Sequence, residues 1–473
     1  MSERAARPQR VHFLTLGCPK NQVDSEVMLG VLAGRGHEIV LDPDAADVLI
    51  VNTCSFIGPA KAESIDAILD AARAKAAREG RRLVVTGCLA QRYANDLVRE
   101  LPEVDAFVGT GDLLHIGDAV EGAPAAEPVV YRGAQHVLPR HAPGGRVRTG
   151  AWWTAYLKVS EGCDHTCSFC IIPKIRGRHE SRMMDDLLAE AAALVGEGAV
   201  ELNLIAQDLT AYGRDLRDGS SLATLLRALA VRVPGARWLR LLYAYPASVT
   251  DELLEVIATE PAVCRYLDMP LQHVSDRMLL AMRRERSGDA LRRLLARIRA
   301  AVPGIALRSS FIVGFPGETD DDVRALCDFL EESEFSHAGV FCYSQEENTA
   351  AAALGGQLSE AVKTERRARV MAVQARVSAR LAAAQVGREV TVLVEREAAR
   401  GRLVGRMATQ APEIDGVVRL TGSASPGDLV QARLTGARTY DLEATIVAGR
   451  GFAVDRAPDD PYKARPPEAD PHA

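Results

Sequence analysis

"EGCDHTCSFC", Glu161 to Cys170, sets three cysteines at C-x3-C-x2-C spacing directly after "AYLKVS" (Ala155–Ser160), a short apolar run of strand character. The position of this loop decides the fold of the central region. A strand that runs into a thiol-bearing loop, and is followed by more strand–helix units, puts those thiols at the carboxyl edge of a parallel sheet. Proteins with such sheets build their ligand sites there. Further strand runs follow: "VELNLIAQD" (200–208), "WLRLLYAYP" (238–246), "RYLDMPLQH" (265–273), "IALRSSFIVGFPGE" (305–318) and "HAGVFCYS" (337–344). Helical patterns separate them, and no dinucleotide fingerprint appears. Six units suit an incomplete (β/α)6 barrel over residues 149–382. Polar or ligand-like residues fall at the strand ends: Cys163, Gln207, Tyr245, His273, Glu318 and Tyr343.

Three readings compete for Cys163, Cys167 and Cys170. A structural zinc site calls for a fourth Cys or His at close spacing, and His165 inside the loop makes a poor one. A chance cluster of three cysteines in eight residues is the bland reading. The third is an iron–sulfur cluster held by three thiolates, with one iron left for an exogenous ligand. An open coordination position is the mark of a catalytic metal site.

A second set of three lies upstream. "VHFLTLGC" (11–18), "VLIVNTC" (48–54) and "RLVVTGC" (82–88) each end a strand-like run on a cysteine: Cys18, Cys54 and Cys88. Between the last two, "AKAESIDAILDAARAKAAREG" (60–80) carries a helical repeat. Strand–helix alternation predicts a doubly wound parallel sheet over residues 10–122. Three cysteines in one positional role then converge on one sheet edge; the alternative is three buried core cysteines. Gly17 and Gly87 precede two of them and let the backbone approach a bulky group.

The remaining segments frame these two. Residues 123–148, rich in Pro, Gly and Ala, read as a linker. Five short runs, "EVTVLVE", "GRLVGRM", "GVVRL", "DLVQARL" and "YDLEATIVA", predict a five-stranded barrel of the oligonucleotide-binding type over residues 383–450. The tail, 451–473, is polar and proline-rich and is expected to be disordered. Nine cysteines in a chain of 473 residues with no apolar leader or spanning run suit a reduced, cytoplasmic setting rather than a disulfide framework or a membrane. Cys264, Cys327 and Cys342 read as structural. A net charge of −6 argues against wrapping nucleic acid by bulk positive charge.

The loop after the first barrel strand resembles the signature of the radical S-adenosylmethionine (SAM) superfamily. That resemblance implies a cluster whose open iron chelates SAM and cleaves it to methionine and a 5′-deoxyadenosyl radical. It also implies SAM contacts at Phe169, Gln207, Arg308 and Gly314. Across the whole chain, "LGCPKNQVDSE", "VNTCSFI", "VVTGCLAQR", "EGCDHTCSFCIIPKIRG", "LLYAYP", "MPLQH" and "FIVGFPGET" resemble the radical SAM methylthiotransferase family. Its members join a cluster domain, a radical SAM barrel and a C-terminal TRAM (OB-like) barrel. The family implies two [4Fe-4S] clusters, one on Cys18, Cys54 and Cys88 and the other on Cys163, Cys167 and Cys170. One SAM supplies methyl and another the radical, with sulfur delivered from the first cluster. The net result is C–SCH3 in place of C–H. A radical is needed because an unactivated C–H bond cannot be deprotonated at neutral pH, and the cofactors carry that chemistry.

The family divides by substrate. "LGCPKN" and "MATQAPEIDGVVRL" resemble the RimO-type branch, which modifies the β-carbon of an aspartate in small-subunit ribosomal protein twelve. The rival branch modifies a tRNA adenosine. From Gln385 to Ala448 there are eight Lys/Arg and eight Asp/Glu, Glu413 and Asp415 among them. A neutral module suits a basic protein better than phosphates, which argues against a direct tRNA substrate. An electron donor and a sulfur source are implied partners of unstated identity. No catalytic residue is assigned, and Arg178, Arg182, Arg240 and Tyr343 are unranked candidates for positioning the target. An RNA-binding protein with structural clusters is the reading from another class.

Overall fold

A computed structural model of the chain describes residues 7–123, 125–133, 145–284, 287–398 and 401–452. Strands β1 (Arg10–Thr15), β2 (Glu38–Ile39), β3 (Val48–Thr53), β4 (Arg82–Gly87), β5 (Ala106–Val108) and β6 (Val129–Tyr131) form the first sheet. It is parallel throughout, in the order β2-β1-β3-β4-β5-β6. Alternation along the strands supplies both faces. Val48 and Ile50 pack one core with Met28, Val31 and Ile116, while Leu49 and Val51 pack the other with Ile68 and Leu89. Burial of each such side chain contributes roughly 1.5–3 kcal/mol. β6 corrects the expected linker. Its three residues pair with β5, and the Pro- and Gly-rich flanks hid so short a strand from a pattern search.

The second sheet is open and parallel. β7 (Thr154–Lys158) is followed by a two-residue antiparallel pair, β8 (Ser160–Glu161) and β9 (Glu180–Ser181), which brackets the cysteine loop. Then come β10 (Glu201–Ile205), β11 (Trp238–Leu241), β12 (Val263–Asp268), β13 (Ala306–Val313) and β14 (His337–Cys342). The order β14-β13-β12-β11-β10-β7 is sequential with no closure, the expected six-unit partial barrel.

The helix Glu360–Ala383 leads into a closed barrel of β15 (Glu389–Ala398), β16 (Arg402–Met407), β17 (Val418–Thr421), β18 (Leu429–Ala437) and β19 (Leu442–Phe452). β19 runs two residues into the segment expected to be tail; that expectation otherwise falls on 453–473, outside the described residues. Among the described residues, no helix is long and apolar enough to cross a membrane.

Two charge networks fix the parts to one another. Arg146, from the expected linker, binds Glu26 of the first domain at 2.5 Å and Glu190 of the second at 2.7 Å. The small barrel is tied by Glu201, wholly buried, whose carboxylate takes Arg240 Nε at 2.9 Å and Arg406 Nη2 at 2.6 Å.

Candidate cluster sites and their junction

The first three cysteines follow β1, β3 and β4, the strands around the point where the sheet order reverses, the ordinary ligand crevice of such sheets. α1 (Pro19–Gly34) starts just after Cys18, with Pro19 at a position where its fixed φ suits a first helical turn. A second helix, Cys88–Glu100, starts on Cys88 itself. Both helix N-termini favour negative charge at these sulfurs. Gly17 has φ +96°, and a Cβ there would lie 2.9 Å from Cys54 Cβ and 3.3 Å from Cys54 Sγ, so only glycine lets those strands' ends meet. Ser55 Oγ donates to the Cys88 carbonyl at 3.0 Å, which closes the third side.

Burial pushes the Cys88 thiol up to about 12, with Arg176 opposing, and also raises Cys54. In the barrel loop burial likewise raises Cys163 to about 11 and Cys170 to about 12. Such sulfurs ligate as thiolates only when a metal displaces their protons. Among the described residues, no three His, Cys, Asp or Glu groups converge on a single-ion site. A four-iron cluster asks for something else, with each thiolate on a different iron. Each cysteine set also has one guanidinium against a sulfur. Arg176 Nη2 lies 3.4 Å from Cys88 Sγ, and Arg284 Nη1 lies 3.5 Å from Cys167 Sγ. A three-thiolate cluster is anionic, so this donor set fits the group.

His165 is turned away from the ligand role. Its Nε2 is 2.7 Å from Asp208 Oδ2, and its ring stacks on Tyr245 with centroids 3.6 Å apart. These contacts buttress the loop, which the sequence left unread because His165, Asp208 and Tyr245 sit on separate units.

The remaining expected site residues divide. Gln207, at the end of β10, donates to Glu161 beside the loop, and its buried Oε1 has no partner. Phe169 packs with Met278, Met282, Phe315 and Tyr343. Gly314 has φ +73° and its N–H donates to Glu318 at 2.7 Å. Arg308 is engaged elsewhere: it binds Asp268 at 2.9 Å and Asp415 at 3.3 Å, and so ties the barrel to the C-terminal module. Asp415 is therefore buried and unavailable to a partner, which removes half of the acidic feature noted at Glu413 and Asp415. Arg240 is likewise buried on Glu201, and Arg182 on Glu190 and the Lys158 carbonyl. Arg178 is exposed beside Asp164, and Tyr343 is buried against Phe315. Cys264 lies in the core between barrel and C-terminal module; Cys327 and Cys342 are half-buried on a helix and at the end of β14.

The junction of the two sites is a dense network that no local motif announced. Arg176 Nη1 binds Asp24 at 2.6 Å and Glu161 at 3.2 Å, and Lys158 binds the same two carboxylates. Lys158 and Glu161 lead into the barrel's cysteine loop, while Asp24 is on α1. Burial would raise Glu161, but Lys158 and Arg176 hold it down at about 2. Beside this network, Lys20 Nζ sits 2.8 Å from the centroid of the Tyr243 ring, and burial lowers it to about 8. The domain boundary also opens into a cleft of about 340 Å³ lined by Gln91, Arg92, Ile171, Lys174 and Asn348.

A thiol-rich doubly wound domain docked on the active edge of a six-stranded partial barrel, with a small β-barrel behind it, defines a radical SAM enzyme with an accessory domain. Comparison with known proteins agrees. Residues 10–109 match a family described as "Uncharacterized protein family UPF0004", 157–330 the radical SAM superfamily and 386–447 the TRAM domain. A "Ribosomal protein uS12 methylthiotransferase RimO" from Anaeromyxobacter sp. (strain Fw109-5) is 52% identical over 97% of this chain and 95% of its own. Those so named from Geobacter sulfurreducens (49%; 93% and 99%) and Myxococcus xanthus (48%; 93% and 92%) are similar. The radical SAM methyltransferase TsrM from Kitasatospora setae shares the fold, at TM-score 0.51 and 16% identity over 71% of this chain and 72% of that one. The chain belongs to the RimO family of radical SAM methylthiotransferases.

Proposed function

We propose that this protein methylthiolates the β-carbon of an aspartate in ribosomal protein uS12. The observation that carries the reading is the junction: two three-cysteine sets on domains in contact, with Arg176 of the barrel reaching Cys88 of the first domain and Glu161 beside the second set. In this reading Cys18, Cys54 and Cys88 hold one [4Fe-4S] cluster and Cys163, Cys167 and Cys170 a second, each with an open iron. When bound, the second cluster and SAM supply a 5′-deoxyadenosyl radical, and the first supplies sulfur for the new C–S bond.

The protein's own residues do the rest. Gln207, with its spare buried oxygen, Phe169 and the turn at Gly314 form the SAM pocket. Arg176 and Arg284 offset the negative charge of the cysteine sites. Asp24, Lys158, Glu161 and Arg176 pair with one another across the domain boundary and so hold the two cysteine sites in register. The low charge of the C-terminal module favours a basic protein over tRNA.

The test is a paired anaerobic assay of reconstituted protein with SAM, reductant and sulfide, given either the ribosomal protein or bulk tRNA and read by mass spectrometry. A methylthio adduct on an aspartate of the ribosomal protein alone is the expected result. An adduct on tRNA alone overturns the substrate while keeping the chemistry. No adduct and no methionine or 5′-deoxyadenosine released would leave purely structural clusters.

A further inference from the structure

Lys20 is buried, and its ammonium has no hydrogen-bond acceptor among the described residues. Its side chain leaves the first turn of α1, two residues after Cys18, and crosses the domain boundary to the mouth of the barrel. There its Nζ rests on the Tyr243 ring, just past β11. A ring face attracts a cation but accepts no ordinary hydrogen bond. Among the described residues, no carboxylate lies within ion-pair distance of it.

The carboxylates of this region are bound by other groups. Asp24 takes Lys158 and Arg176. Glu161 takes those two and Gln207. Asp268 takes Arg308 and the Tyr243 N–H. Tyr243 itself has φ +66°, a strained backbone for a tyrosine, and the Asp268 hydrogen bond at 3.1 Å holds it there. The Cys18 sulfur is the anion that most favours the Lys20 charge, and no carboxylate among the described residues is paired with it.

We propose that Lys20 Nζ receives the side-chain carboxylate of the target aspartate. The inference rests on the aspartate reading given above and adds the residue that recognises it. The chemistry is direct. In an aspartate the carboxylate carbon is bonded to the reacting β-carbon, so fixing the carboxylate on Lys20 fixes that carbon at the junction of the two cysteine sites. A neutral amide in the same place offers no charge to the ammonium and leaves it unpaired. Lys20 is thus a substrate-binding and specificity-determining residue.

The test uses full-length protein with both clusters reconstituted, as wild type, Lys20→Met and Lys20→Arg. The substrate is uS12 carrying Asp or Asn at the modified position, and both binding and methylthiolation are measured. A charge-assisted hydrogen bond of this kind predicts roughly a 10- to 100-fold preference of the wild type for Asp over Asn in Kd and in kcat/KM. In Lys20→Met that ratio should collapse to near one, and in Lys20→Arg part of it should return. Iron–sulfur spectra of both clusters identify a variant that merely fails to assemble, in which case Lys20→Arg carries the comparison. A Lys20→Met protein that keeps the wild-type preference overturns the proposal. So does equal loss on both substrates with clusters intact, which would give Lys20 a part in sulfur delivery instead. Wild type that modifies tRNA and neither form of uS12 overturns the aspartate reading itself.

Discussion

Arg176 Nη2 lies 3.4 Å from Cys88 Sγ, while Nη1 of the same guanidinium lies 2.6 Å from Asp24 Oδ2. One barrel side chain thus touches the first domain both at a cysteine and at a buried carboxylate. Replacing it by Met leaves Asp24 with Lys158 alone and removes the positive charge from Cys88. Breaking a buried charge network in this way costs about 3–5 kcal/mol. On the proposed two-cluster reading, Arg176→Met should lower bound iron from that of two clusters toward that of one, with Arg176→Lys intermediate. Iron and sulfide analysis of reconstituted protein reads this. Full occupancy in Arg176→Met would show that the contact is dispensable to the cluster.

The two cysteine sets should separate cleanly by function. Cys167→Ala removes a sulfur from the loop that follows β7 and should abolish release of 5′-deoxyadenosine. Cys54→Ala should leave that release in place and stop sulfur insertion. Chromatography of SAM products beside mass spectrometry of uS12 distinguishes the two outcomes. Methylthiolated product from Cys54→Ala would remove the first domain from sulfur delivery.

Half of this site can be read from residue order because each of its first three cysteines follows a strand. In a parallel sheet, chain position then maps directly onto one edge, as with Cys18, Cys54 and Cys88. The junction escapes such a reading. Asp24, Lys158, Glu161 and Arg176 are ordinary charged residues far apart in the chain, and only packing brings them together. Arg308 illustrates the same limit. Its place on β13 is evident from sequence, but Asp415, which claims it, lies in another domain. The strand at Val129–Tyr131 was hidden because three residues carry too little alternation to stand out from a Pro-rich stretch.

Gly87 precedes Cys88 with φ +97°, and a Cβ there would sit 2.2 Å from Asn52 Oδ1 and 2.6 Å from the Thr53 carbonyl. Gly36 has φ +86° but nothing within 4 Å of such a Cβ. Gly36→Ala should therefore cost only backbone strain, about 1 kcal/mol. Gly87→Ala adds a backbone clash between β3 and β4 and should cost several times more, with loss of the first cluster. Urea unfolding of the two variants provides the comparison. Equal costs would mean that the strand ends can yield.

Glu201 joins barrel and C-terminal module through Arg240 and Arg406, all three buried. Burial alone would raise its carboxyl, but Arg406 and Arg240 outweigh it and hold the group down at about 2. In the unfolded chain the same carboxyl titrates near its ordinary value of about 4.3. A depressed folded value means that its contribution is fully present above that unfolded value and is lost as pH falls toward 2. Glu201→Gln strands two guanidiniums and should destabilise the protein at pH 7 by about 3–5 kcal/mol. The gap between wild type and variant should then narrow steadily as pH falls below about 4.5. Denaturant unfolding of both proteins from pH 7 down to pH 3 measures that gap. A gap that stays constant across the range would show that lost packing, not charge, accounts for the effect of the substitution.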